Sequence, residues 1–170
     1  MVRQCRSGQG APCRSAAGAR IVFGFILLVH FCTAAVAEPA RSELALVTQA
    51  GERFALQVEI ANTDAEKSQG LMFRDKLDEK HGMLFLYQPS REVAIWMKNT
   101  LLPLDIIFID VTGRIIKIER DAVPLSEQSM RSDRPVRAVL EINGGMTGFM
   151  GVAVGDRVVY EPLWPDPGSP

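Results

Sequence analysis

Leu104-Asp105-Ile106-Ile107-Phe108-Ile109-Asp110-Val111-Thr112-Gly113-Arg114-Ile115-Ile116-Lys117-Ile118-Glu119-Arg120 is the stretch that decides the fold. Two apolar runs of strand length, rich in isoleucine, flank Val111-Thr112-Gly113. That connection has the length and the glycine position of a three-residue hairpin turning on a left-handed glycine. The pattern predicts strands over 104–110 and 114–120.

Working outward toward the N-terminus, Val93 to Lys98 reads as a strand and Gly82 to Tyr87 as a buried one. Phe54 to Ile60 alternates, with Phe54, Leu56, Val58 and Ile60 on one face and Gln57 and Glu59 on the other. This half-buried strand pairs antiparallel with Leu44–Thr48 across the turn Ala50-Gly51-Glu52. Thr63-Asp64-Ala65-Glu66 is a capping box that opens a helix ending at Gly70. Toward the C-terminus, Asp121 to Pro135 lacks periodicity and reads as a long loop. Arg137 to Ile142 is a strand, Asn143-Gly144-Gly145 a break, Met146 to Met150 one helical turn, and Arg157 to Glu161 a last strand. Pro162, Pro165, Pro167 and Pro170 mark a tail over 162–170. Seven or eight short strands with two short helices predict a mainly β domain, an antiparallel sandwich or flattened barrel. A parallel nucleotide-binding fold would need helices between the strands.

Residues 1–37 contain no acidic residue and carry Arg3, Arg6, Arg14 and Arg20 ahead of an apolar run from Ile21 to Ala34, then Ala35-Val36-Ala37. This is the order of a cleaved secretory signal, with cleavage expected after Ala37 and an extracytoplasmic destination, periplasmic or secreted. As a retained anchor the run falls short of the roughly 20 residues a membrane-spanning helix needs. Phe31 before Cys32 argues against a lipoprotein. A leader over 38–42 and a single domain over 43–161 would remain, with no membrane span after cleavage.

The remaining chain carries fifteen basic and twenty acidic residues, a net charge of −5. Such a balance argues against nucleic acid as a partner. Cys5, Cys13 and Cys32 all precede the expected cut, leaving no thiol for a nucleophile, a disulfide or a zinc site. His81 is the one remaining histidine and sits in a charged turn, so neither a serine-histidine-acid triad nor a His/Cys metal site is expected. Met72, Met83, Met97, Met146 and Met150 could offer thioethers to copper(I), but each lies in an apolar segment where methionine fills core gaps. No cofactor or metal is expected.

Polar side chains inside apolar strands are the informative exceptions, because burying one unpaired costs several kcal/mol. Alternation puts Asp105 with Ile107 and Ile109, and Glu141 with Val139 and Arg137. Lys98-Asn99-Thr100 follows Trp96 and leads through Pro103 into Asp105. Four ordered motifs carry a resemblance: Gly70-Leu71-Met72-Phe73-Arg74, Gly82-Met83-Leu84-Phe85, Trp96-Met97-Lys98-Asn99-Thr100 with Pro103-Leu104-Asp105, and Leu140-Glu141 with Gly145. Over residues 43–161 the chain resembles the uncharacterised family called domain of unknown function 192. The resemblance implies a compact, mainly β, often exported domain with no established reaction, and it marks Arg74, Trp96, Asn99, Thr100, Asp105 and Glu141 as the motif positions.

An arginine, two carboxylates, an amide, a hydroxyl and an indole can line a cleft that holds a small molecule, a saccharide or a segment of an envelope protein. The leading expectation is an extracytoplasmic ligand-binding or accessory domain with one wall from Trp96 to Asp105. Its rival is a hydrolase or lyase acting on envelope polymers through Asp105 and Glu141 as catalytic acid and base. A structural partner of an envelope protein is the third. The same residues also have a purely architectural reading: Arg74 neutralises Asp105 or Glu141, Asn99 and Thr100 cap a turn, and Trp96 is core.

Overall fold

The computed structural model describes residues 41–166. The expected signal segment and the prolines at 167 and 170 lie outside the described residues. The deciding hairpin forms as expected: β5 (Leu104–Ile109) and β6 (Ile115–Ala122) pair antiparallel. Gly113 turns between them at φ 82°. The Asp110 carboxylate holds the turn by accepting from the main-chain N–H of Thr112 and of Arg114 at 2.8 and 3.1 Å.

Around this hairpin, β1 (Arg41–Val47), β2 (Arg53–Ala61), β3 (His81–Arg91), β8 (Val136–Asn143) and β9 (Arg157–Val159) complete a seven-stranded sheet of order β6-β5-β8-β3-β2-β1-β9. β1 and β2 form the expected antiparallel hairpin. β2 and β3 are parallel, because the chain between them crosses over through α1 (Asp64–Gln69) and the charged stretch that follows. The capping box is present: Thr63 Oγ1 accepts from Glu66 N–H at 3.2 Å, and the Glu66 carboxylate accepts from Thr63 N–H at 2.7 Å.

The sheet curls into a half-barrel. Its two edges meet in an antiparallel bridge between Arg114 and Arg157, reinforced by Ile115 N–H to Asp156 O at 2.9 Å and Val158 N–H to Gly113 O at 2.8 Å. A side chain at 113 would meet Val158 O at 3.0 Å and the Trp164 ring at 2.8 Å, so glycine is needed for closure as well as for the turn. Trp164 is buried, donating from Nε1 to Val111 O at 3.0 Å, which makes the first part of the proline-marked tail part of the core.

Two hydrophobic clusters lie on opposite faces of the sheet, as strand alternation requires. Leu84, Ile107, Ile109, Leu140 and Ile142 point into the barrel with Trp164 and with Val152, which follows α2 (Met146–Phe149). Phe85, Tyr87, Ile106, Phe108 and Val139 point outward and are covered by Leu71 and Met97. Met83 and Met97 fill the outer cluster and Met150 the inner one.

Three expectations differ. Val93–Lys98 forms only the two-residue β4 (Ala94–Ile95), because its partner β7 (Met130–Arg131) is equally short and the chain then turns at Met97–Thr100. β7 and the end of β6 lie inside the expected loop over 121–135. His81 opens β3 rather than sitting in a turn.

Candidate functional site

The outer layer of the domain comes in two pieces, α1 with the residues that follow it and the segment 91–97 around β4. A cleft of about 550 Å³ lies between them. Phe85, Tyr87 and Glu141 line it from the sheet, Thr100 from the turn after Met97, Lys67 and Gly70–Met72 from one wall, and residues 91–96 from the other.

Glu141 is the unusual group. Its place on β8, flanked by Met83 on β3 and Ile106 on β5, buries it to 6% exposure. No donor among the described residues reaches its carboxylate. Burial pushes its carboxyl up to about 8. Gly82 keeps β3 this close to β8, since a Cβ there would stand 2.6 Å from Glu141 O. The Tyr87 hydroxyl is pushed up to about 12, first by burial and then by the Glu141 charge, with Arg91 acting in the opposite sense. Lys67 and Arg91 each lie 5.3 Å from the Tyr87 ring centroid. Lys67 is tethered to Leu86 O at 2.9 Å. Arg91 makes no ion pair among the described residues.

Of the six residues marked in the sequence, Trp96, Thr100 and Glu141 converge on this cleft, and Arg74, Asn99 and Asp105 do not line it. Arg74 neutralises neither Asp105 nor Glu141. It forms a two-point ion pair with Glu59, 2.6 Å on each arm, which holds the Glu59 carboxyl below its usual range. Asn99 takes a left-handed φ of 56° in the turn where Thr100 N–H reaches Met97 O at 3.0 Å, and its carbonyl accepts from Phe73 N–H at 2.9 Å. The architectural reading is met by the Asn99 backbone, while its side-chain Nδ2 donates to Met72 Sδ at 3.9 Å. It fails for Trp96, which is 51% exposed with Lys98 over its ring.

Asp105 is fully buried on the inner face. Its carboxylate accepts from Asp121 N–H at 2.9 Å, Gly145 N–H at 3.0 Å, Thr147 N–H at 2.7 Å and Thr147 Oγ1 at 2.7 Å. It pins the irregular end of the β5–β6 ladder to the start of α2. The register pairs Asp105 with Ile142 and Ile106 with Glu141, so the two carboxylates face opposite sides of the sheet. The expected acid–base pair is not assembled.

Sequence reasoning missed Tyr87, Lys67 and Arg91. Tyr87 shares the parity of Met83 and Phe85 along β3, which is the signal that would have placed it on the Glu141 face.

Residues 45–160 match the family DUF192, described as "Uncharacterized ACR". The chain belongs to that family. Among solved structures it is similar to a Sinorhizobium meliloti 1021 protein described as a "putative transcription regulator", at 42% identity, TM-score 0.73, covering 74% of this chain and 98% of that one. It is also similar to a protein of unknown function from Novosphingobium aromaticivorans DSM 12444, at 38% identity and TM-score 0.71, covering 74% of this chain and 89% of the other. No curated protein matches.

Proposed function

We propose that this DUF192 member is an exported, extracytoplasmic ligand-binding or accessory domain whose site is the cleft floored by Glu141. One observation carries the reading. A carboxyl group buried to 6% exposure, with no donor among the described residues, lies at the wall of an open cleft beside aromatic rings. Burying such a group unpaired is costly, and a ligand that brings a hydrogen-bond donor or a cation removes the cost. The concave, partly aromatic walls suit a small molecule, a saccharide or a segment of an envelope protein. Export rests on the basic, apolar and small-residue order of residues 1–37.

A DNA-binding role, raised by the description of the Sinorhizobium relative, has little support in this chain. Residues 38–170 are acidic, and the longest helix among the described residues has six residues. The hydrolase reading lacks its partner carboxylate, since Asp105 is sealed on the inner face.

The test is a thermal-shift screen of amines, saccharides, peptides and envelope extracts on the natural protein and on Glu141→Gln. A ligand that stabilises the natural protein and loses at least tenfold in affinity with Glu141→Gln supports the reading. Ligands that bind both proteins equally would remove it.

A further inference from the structure

We propose that the cleft takes an extended stretch of polypeptide, which adds as a strand to the free edge of β4 and sets a basic side chain against Glu141. The inference rests on the cleft being the binding site and names the class of its ligand.

The first observation is how β4 meets the cleft. Arg91, Glu92, Val93, Ala94, Ile95 and Trp96 all line it. A strand showing one face would contribute every second residue. Both residues of β4, Ala94 and Ile95, line the cleft together with the irregular residues on either side, so the segment does not meet it with one side-chain face alone.

The second is where the main-chain groups of that edge point. Ser132 N–H donates to Val93 O at 2.9 Å, and Met97 N–H donates to Ser126 O at 2.9 Å. Val93 N–H donates to Ser132 Oγ at 3.0 Å. Val93 and Met97 therefore turn their main chains toward β7 and its flanking loop, and the register Ala94↔Arg131, Ile95↔Met130 places Ile95 with them. By alternation Ala94 and Trp96 direct their N–H and C=O groups the other way. Trp96 makes no main-chain hydrogen bond among the described residues. An edge of this kind is a template for one more strand.

The third is length. Glu141 stands opposite Met83, and Tyr87, under Arg91, lies four residues further along β3. At about 3.3 Å per residue that is roughly 13 Å of strand. A single amino acid is too short to use both ends, whereas three or four extended residues span them. The Glu141 end fixes the preference: a buried carboxyl without a donor, kept neutral by its burial, ionises against a lysine or arginine side chain that brings it a cation. Trp96, half-exposed at the rim, offers an apolar surface to a neighbouring side chain.

The experiment titrates ¹⁵N-labelled protein with capped hexapeptides carrying a central lysine and follows the amides of Ala94 and Trp96. Both amides should shift on binding. N-methylation of the peptide at the alternate positions facing β4 should weaken binding at least tenfold. Methylation one residue along should change it less than twofold. Replacing the lysine by norleucine should cost tenfold or more, and that loss should vanish in Glu141→Gln. Equal sensitivity to methylation in both registers, or silent Ala94 and Trp96 amides, overturns strand addition. If the peptides fail while alkylamines or chito-oligosaccharides bind in a Glu141-dependent way, the polypeptide inference falls and the cleft reading stands. If nothing binds in a Glu141-dependent way, both fall.

Discussion

The inner and outer faces of the sheet each bury an acidic residue from neighbouring strands, and they treat it in opposite ways. On the inner face, four donors from two segments close around Asp105. On the outer face, the Glu141 carboxylate is nearly as buried, at 6% exposure on the cleft, and accepts nothing from the described residues. A saturated carboxylate is a fastener, since its charge is spread over bonds that tie β5, the end of β6 and α2 together. An unsaturated one is a cost to folding that a ligand can offset. The difference separates architecture from function where residue type does not.

The largest expected effect breaks the fastener. Asp105→Ala orphans three main-chain N–H donors, of Asp121, Gly145 and Thr147, and should lower stability by about 4 kcal/mol in urea melts. A loss below about 1 kcal/mol would mean that water replaces the carboxylate and that the two faces are alike.

Glu141→Gln should act in the opposite direction. The folded carboxyl is raised to about 8, well above its ordinary value of 4.5. The native state therefore holds an extra proton between those limits, and stability is fully present below 4.5 and declines as pH rises toward 8. Glutamine cannot ionise, so the variant should be more stable than the natural protein by about 3 kcal/mol at pH 7 and little different at pH 4.5. Urea midpoints across that range check both sign and window.

A smaller effect comes from Arg74, the arginine that the sequence suggested for the site and the fold pairs with Glu59. Arg74→Met leaves Glu59 half-buried without its partner and should cost about 1.5 kcal/mol at pH 7, discounted for the exposure of the arginine. Glu59 is held below its ordinary value, so the pair's contribution is present above 4.5 and is lost as pH falls below it. The difference between variant and natural protein should shrink in acid. Trp96→Ala should have the smallest effect on stability, under about 0.5 kcal/mol, because the ring is half in solvent. It should weaken any cleft ligand by roughly tenfold, as loss of an aromatic anchor does. Differential scanning calorimetry and a binding titration separate the two.

Much of the fold was legible in local pattern. The β5–β6 hairpin, the β1–β2 hairpin and the Thr63 capping box each depend on contacts close in sequence, and each formed as read. Glu141 was legible as a polar interruption of an apolar strand. Its opposition to Asp105 was not. Alternation fixes a side chain's face within one strand, and the relation between strands needs the register, which pairs Asp105 with Ile142 across the β5–β8 ladder. The partner of Arg74 was hidden for the same reason, since Glu59 comes to it through the parallel crossover. β4 failed as a strand of full length because strand propensity in Val93–Lys98 met a two-residue partner and a left-handed Asn99.

The seam between Arg114 and Arg157 has a consequence for how the chain is made. Residues 157–164, which close it, follow β1, β2, β3, β5, β6 and β8 in the chain and leave the ribosome after them. Until residues 157–164 emerge, one edge of β1 has no partner and Trp164 is missing from the inner cluster. The domain acquires its seam only when that segment has joined the strands made before it.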